Sequence, residues 1–317
     1  MTASTVLFRS VLSGFGVLAL GFGMQGAQGA APAPAPAPPD FSKVEIVTTK
    51  LADNVYALDG QGGRITFLAG PDGVFVVDTQ FAPLTDKIVA AIRQVSTQPI
   101  RFVVNTHVHG DHTGGDANFA KLGAVIISQD KLRARLASPP PAPAGAAPVV
   151  APPAAALPIL TYDTRLTLHM DGEEVEVRAL PPAHTDGDTF VRLPKADVLA
   201  TGDVFRSVGY PNIDRANGGT LVGMLAALNM MIDSAGAATK VVPGHGAITD
   251  RAALVAHRDM AVAVRDRVAK LMKEGKTVEQ IVASKPTADF DQKTGNAETS
   301  ADRFVQQLYA ELAGPAR

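Results

Sequence analysis

The chain has 317 residues, of which 46% are hydrophobic and 19% charged, with a formal net charge of −2 and no cysteine. Such a composition describes a folded chain of one or two domains with a sizeable core, and its balanced charge gives no bulk electrostatic reason to bind nucleic acid or an acidic membrane. Without cysteine there is no disulfide framework, thiolate zinc site or cysteine nucleophile, so any metal must be held by histidine, carboxylate or water.

Arg9 precedes an apolar stretch from Val11 that fades into small residues between Gly26 and Ala31. A basic start, a short apolar segment and a small-residue region predict a secretory signal peptide over residues 1–30, and with it a periplasmic or secreted protein. The alternative is a membrane anchor, but the strongly apolar part is only about a dozen residues, against about 20 for a span. The alternating Ala-Pro of residues 31–40 favours extended geometry and reads as a stiff tether. Folded sequence is expected over 41–317.

From Val44 to Asp78 come the β-like runs VEIVTT, VYALDG, RITFLAG and GVFVVD, with a Pro-Asp-Gly hairpin turn before the last. Leu84 to Val95 has helical spacing, with Leu84, Ile88, Val89, Ile92 and Val95 on one face, and Pro99 follows. IRFVVN (Ile100–Asn105) reads as a buried strand, then a helix over Asp116–Leu122, the strand GAVIIS, and a helix over Gln129–Ala137. Residues 138–158 are a Pro/Ala-rich insertion unfit for regular structure. Strands resume at TRLTLHM, EEVEVRAL, TFVRL and DVLAT. A helix is predicted over Gly219–Ile232, a strand at TKVVPG and a long helix over Ala252–Lys273. Residues 274–317 form a helical C-terminal extension with helices at Val278–Ala283 and Asp302–Leu312. The order of strands, helix, strand, helix occurs twice. It predicts an α/β fold of two halves packed sheet on sheet, with helices outside.

Three of the seven histidines fall in THVHGDH (Thr106–His112), directly after an apolar strand. His107 and His109 can turn to the same side of a loop. Asp111 and His112 follow two and three residues later, and Gly110 is expected to let the backbone turn between the pairs. Zinc accepts imidazole nitrogen and carboxylate oxygen, and catalytic sites leave a position open. Four such residues are too many for one ion and too few for two, so further ligands are expected elsewhere. His184 in PPAHTDGD, Asp203 in ATGDVF and His245 in VPGHG all follow apolar strands and are flanked by Gly or Pro. Strand ends hold ligands in fixed positions. His169 and His257 lie within strand and helix patterns and read as ordinary residues.

THVHGDH with the later PAHT, TGD and PGHG resembles the metallo-β-lactamase superfamily, over nearly all of Val44 to about Asp266. The resemblance implies an αββα sandwich with a shallow site at one edge. It implies one metal on His107, His109 and His184, a second on Asp111, His112 and His245, and Asp203 bridging them. Asp78, ending VFVVD, resembles the family aspartate that orients a ligand imidazole from behind; the alternative is a strand-end turn residue. Two metals can hold a hydroxide between them and polarise the bond it attacks, with Asp111 orienting it or carrying its proton. The resemblance therefore implies a dinuclear zinc hydrolase, although the same ligands suit iron or manganese.

The substrate is expected to be a small molecule with an amide or ester-type bond. Export suits β-lactams, a bridging aspartate also matches lactonases, and a thioesterase or phosphoesterase of the same fold is a further alternative. A mononuclear iron sulfur dioxygenase and a non-catalytic zinc module are the alternatives of other kinds. Arg206, three residues after Asp203, is placed to grip a substrate carboxylate if it is not merely a solvated loop residue. Tyr210 and Asn212, in the loop GYPNIDRANGG, are candidates to line the substrate pocket; Asn217 reads rather as part of a connector that caps the next helix. Oligomeric state is left open.

Overall fold

The computed structural model describes residues 40–141, 150–295 and 297–314. The expected signal peptide and most of the Ala-Pro tether lie outside them, as does 142–149 of the insertion. From Asp40 onward the chain is one unit.

Its first sheet has seven strands in sequence order: β1 (Val47–Lys50), β2 (Val55–Asp59), β3 (Ile65–Gly70), β4 (Gly73–Val77), β5 (Ile100–Val104), β6 (Val125–Gln129) and β7 (Leu160–Tyr162). β1 to β4 run antiparallel, and β4 to β7 are parallel. The second sheet has the order β12 (Lys240–Val242), β11 (Val198–Ala200), β10 (Thr189–Leu193), β9 (Glu173–Ala179), β8 (Arg165–Met170). It is antiparallel except for the pair β11–β12. Parallel strands need crossovers, and these are helical.

The sheets face each other across a dry core of Val55, Phe75, Val77, Val104 and Ile127 from the first and Val175, Val177, Val191, Val198 and Val242 from the second. The outer face of the first sheet, with Phe67, Val76 and Val103, is covered by α1 (Thr85–Val95) and, beyond the four-residue α2 (Gly110–Thr113), by α3 (Asp116–Lys121); they contribute Ile88, Ile92 and Phe119. α4 (Asp130–Ala137) follows β6. The outer face of the second sheet packs on α5 (Leu221–Ser234), α6 (Arg251–Lys273) and α9 (Ala297–Leu312). The layers are helix, sheet, sheet, helix, as the predicted halves require. Among the described residues no helix is long and apolar enough to cross a membrane.

The predicted elements differ from the observed ones at particular places. VEIVTT pairs only from Val47, and all four β1 residues are exposed, so it is an edge strand with little apolar contribution. The Pro/Ala insertion is not wholly irregular: Ala154–Ala156 form a 3-10 turn that buries Ala156, and β7 pairs with β6 just beyond it. α9 starts five residues earlier than predicted, and a helix α8 (Ala288–Thr294) lies between it and α7 (Val278–Ala283). The C-terminal extension is integral to the outer layer, with Phe304, Val305 and Leu308 fully buried against α6 and its neighbours.

Candidate metal centre

Parallel strands bring their carboxyl ends to one edge, the usual place for ligands in α/β folds. Asp78 follows β4, the THVHGDH segment follows β5, Asp203 follows β11 and His245 follows β12, while His184 stands on the loop between β9 and β10. Among the described residues, three overlapping groups of side chains could hold a metal ion: His107, His109 and His184; His107, His112 and Asp203; and Asp111, His112 and His245. Within each group the ligand atoms lie within 4.8 Å of one another.

Each ring in the first group is fixed from behind. His184 Nδ1 lies 2.7 Å from the Asn212 carbonyl oxygen, and His109 Nε2 lies 2.7 Å from Asp214 Oδ2. Both partners are acceptors, so in the neutral rings these nitrogens carry the hydrogens. The nitrogens left over, His184 Nε2 and His109 Nδ1, are then two lone pairs only 3.0 Å apart. A shared cation turns that repulsion into attraction. Burial keeps the His107 imidazole well below its ordinary pKa and pushes that of His184 down to about 4, so both offer lone pairs at neutral pH. His107 Nε2 is buried without a hydrogen-bond partner, as an unbound ligand nitrogen would be.

His112 and Asp203 carry the second group. Burial opposes a charge on His112, but the carboxylates of Asp78 and Asp203 outweigh it and raise its pKa well above the ordinary value. Asp203, 5% exposed, is held well below the carboxylate range: burial would raise it, and the histidines, His112 above all, win. Asp203 Oδ1 lies 3.3 Å from His112 Nε2, and both atoms lack a hydrogen-bond partner. Asp203 Oδ2 lies 3.3 Å from His245 Nε2 and 3.9 Å from His184 Nε2. Asp111 Oδ2 lies 3.2 Å from His245 Nε2 and 3.7 Å from His112 Nε2. One carboxylate thus touches ligands of both outer groups. Orphaned imidazole nitrogens converging on buried carboxylates fit divalent cations, which would displace the His112 proton on binding.

Asp78 occupies the orienting position expected of it. Its Oδ1 accepts from the Thr106 amide (2.7 Å), and its Oδ2 accepts from the Thr106 hydroxyl (2.8 Å) and from His112 Nδ1 (2.7 Å). The parallel pairing of Val77 with Val104 sets it beside Thr106.

Four expectations are corrected. Gly110 opens α2 with nothing within 4 Å of the place a Cβ would take, so the turn between the ligand pairs does not depend on glycine there. The glycines that matter are Gly63 and Gly244, where a Cβ would stand 2.1 Å from the His112 ring and 2.1 Å from Asp203 Oδ1. Tyr210 lines no cavity that holds a candidate ligand: it is fully buried, stacks on Phe304, and its hydroxyl lies 2.6 Å from Asp291 Oδ1 and donates to the Thr287 carbonyl (3.1 Å). Asn212 acts through its backbone carbonyl on His184, while its side-chain oxygen accepts from Gln307. Arg206 turns away from the ligands into a separate cavity with His257. Asn217 closes a 3-10 turn and donates to Asp214 (2.7 Å). His169 is exposed on β8, and His257 is buried outside all three ligand groups.

Asp214 was missing from the expected set. Its carboxyl, held well below the usual range by the hydrogen bonds from His109 and Asn217 against the effect of burial, anchors His109. Asp214→Ala is expected to weaken metal affinity about 10- to 100-fold, as read by competition with a chromophoric chelator. Unchanged affinity would remove Asp214 from the site. A cavity of about 400 Å³ opens beside His109 and Gly110; Val108, Leu136, Pro139 and Pro152 give it apolar walls.

The metallo-beta-lactamase superfamily model matches residues 58–254. Among solved structures, the chain is similar to the stereoselective inverting sec-alkylsulfatase Pisa1 from Pseudomonas sp., at 19% identity and a TM-score of 0.67, covering 86% of this chain and 51% of that one. It therefore spans about half the length of that protein. It is also similar to a metallo-beta-lactamase from Pontibacter korlensis (19% identity, TM-score 0.57, 68% of this chain and 99% of that). A further likeness is to the DIM-1 metallo-beta-lactamase (21% identity, TM-score 0.56, 68% and 97%). At these identities the structures speak for the fold, and the family model, which spans more than half of the chain and all seven ligand residues, speaks for descent: the chain belongs to the metallo-beta-lactamase superfamily.

Proposed function

We propose that this protein is an exported hydrolase that uses two divalent cations, zinc foremost, on an ester- or amide-type bond of a small molecule. The observation that carries this reading is the position of Asp203, one buried carboxylate within 3.3–3.9 Å of histidines from both ligand groups. A structural site closes one ion with four ligands and has no use for such a bridge.

When bound, two cations supply water activation near neutral pH and polarisation of the scissile group. The residues of the chain do the rest. His107, His109 and His184 would hold one ion; Asp111, His112 and His245 would hold the other; Asp203 would touch both. Asp111 is half-exposed and ionised, since the histidines His245 and His112 overcome the effect of burial on it. It is the group at the mouth of the site that can orient a water and receive a proton. The apolar cavity beside His109 takes the non-reacting part of the substrate and keeps bulk water from it.

The likeness to an alkylsulfatase extends over more of this chain than the likenesses to the lactamases, which adds sulfate esters to the bonds worth testing. The test is a hydrolysis panel of β-lactams, lactones, thioesters, phosphoesters and secondary alkyl sulfates on the zinc-loaded mature chain, with metal content measured in parallel. Two zinc ions per chain and chelator-sensitive turnover of one class are expected. A single iron with oxidation of a persulfide, or one zinc and no turnover of any class, would overturn the reading.

A further inference from the structure

A second cavity, also about 400 Å³, lies on the far side of the His245 turn and contains none of the metal ligands. The two sites are separated by backbone, the Ser207 amide donating to the His245 carbonyl at 3.1 Å. Its walls combine Phe205, Met260 and Phe290 with three basic side chains, Arg206, His257 and Lys293, and no carboxylate is among the described residues that line it.

Among the described residues, particular nitrogens of these basic groups are unmatched. His257 is 7% exposed, stands edge-on to Phe205 at 5.1 Å, and its Nε2 has no hydrogen-bond partner. Arg206 Nε is buried and likewise unpartnered. Arg206 also lines a smaller adjoining cavity with Arg303, whose Nε is a third unpartnered buried donor. Burial and the neighbouring charge of Arg206 lower the Arg303 pKa against the pull of the more distant Asp203, so two guanidinium groups lie within electrostatic reach of each other, and no carboxylate is among the described residues that line either cavity. Buried donors of this kind are costly unless an acceptor meets them, and an anionic acceptor meets them best.

We propose that this cavity binds an amphipathic organic anion: a carboxylate or sulfate head group among Arg206, His257 and Lys293, with an apolar tail against Phe205, Met260 and Phe290. The ring of His257, whose pKa is pushed down to about 4 by burial and then by Arg206, is neutral at physiological pH and serves as a hydrogen-bond donor rather than a charge. Arg206 and Lys293 supply the charge. α8 carries Phe290, Lys293 and Thr294, and the Gly209 amide donates to the Thr294 carbonyl at 2.6 Å, which ties this wall to the segment bearing Arg206. The site does not depend on the proposed hydrolysis.

Calorimetric titration of octanoate into the metal-loaded chain tests it, with 1-octanol as the uncharged probe. Octanoate is expected to bind at least about 10-fold more tightly than octanol, and Arg206→Gln to raise its Kd by about 10-fold. Lys293→Gln, at an exposed position, is expected to keep the parent melting temperature and to raise the Kd about 3-fold. His109→Ala, at the metal centre, is expected to leave it unchanged. Equal binding of octanol, indifference to Lys293→Gln and Arg206→Gln, loss of binding in His109→Ala, or no binding at millimolar octanoate would each overturn the proposal.

Discussion

Asparagine in place of Asp203 is expected to lower kcat/KM by about 1000-fold or more, the scale on which removing one preorganised electrostatic group acts, and to lower the metal content. The substitution conserves volume, so the Val242–Ala200 edge and the nearby glycine at 244 are undisturbed. What changes is charge. Asp203 is the largest favourable influence on the buried His112 after Asp78, and it touches His245 and His184 as well. A neutral amide leaves His112 with Asp78 and His245 with Asp111 as their remaining counter-charges, and it would take a ligand from both proposed ions. The pH dependence follows with a definite sign. Because the folded-state pKa of Asp203 lies below its unfolded value, its stabilising contribution in the metal-free protein is present above the unfolded pKa and fades as pH falls. Asp203→Asn should therefore flatten the acid limb of the melting-temperature profile measured in chelator. Turnover and metal content within about 10-fold of the parent would mean that the two groups do not share this carboxylate.

The candidate ligands were readable in the sequence because they stand on segments that directly follow short apolar strands and are set off by Gly or Pro, a local pattern that survives whatever the rest of the chain does. The αββα layering was readable for the same reason, since β- and α-type periodicities alternate in order. The residues that hold the ligands from behind are harder. Asp78 was visible only as the end of VFVVD. Asp214 reaches His109 across 105 positions, from a turn-rich loop whose composition points equally to a connector. The part played by Asn212 lies in a backbone carbonyl, which no side chain announces. Tyr210 sits among Gly, Pro and Asn and looks like a loop residue, yet α9 supplies Phe304 to bury its ring. Gly63 precedes the cluster by more than forty positions, and only the approach of the loop after β2 shows that a side chain there would displace His112. α8 carries no apolar stripe to mark it in the sequence, since its seven residues are mostly polar and none is buried.

Asp78 ties the fold to the candidate metal site, and two substitutions are expected to separate its two parts. Its side chain is almost wholly buried, accepts three hydrogen bonds and sits on a residue with φ of 65°, in the left-handed region. Alanine strands the Thr106 amide, the Thr106 hydroxyl and His112 Nδ1 together and is itself disfavoured at that φ, for a loss of about 3–5 kcal/mol in stability. Asparagine tolerates the backbone and can still accept from Thr106 through its carbonyl oxygen. Its NH2 group then faces His112 Nδ1, which must become the acceptor. The ring hydrogen moves to Nε2, and the lone pair that would meet the cation is gone. Asp78→Asn is accordingly expected to stay folded, with a modest fall in Tm, yet to bind metal about 10- to 100-fold more weakly. Asp78→Ala should lose both stability and metal. Thermal melts with and without chelator, paired with a metal titration of each variant, separate the two effects. An Asp78→Asn protein with the affinity of the parent would show that His112 does not depend on Asp78 for its tautomer.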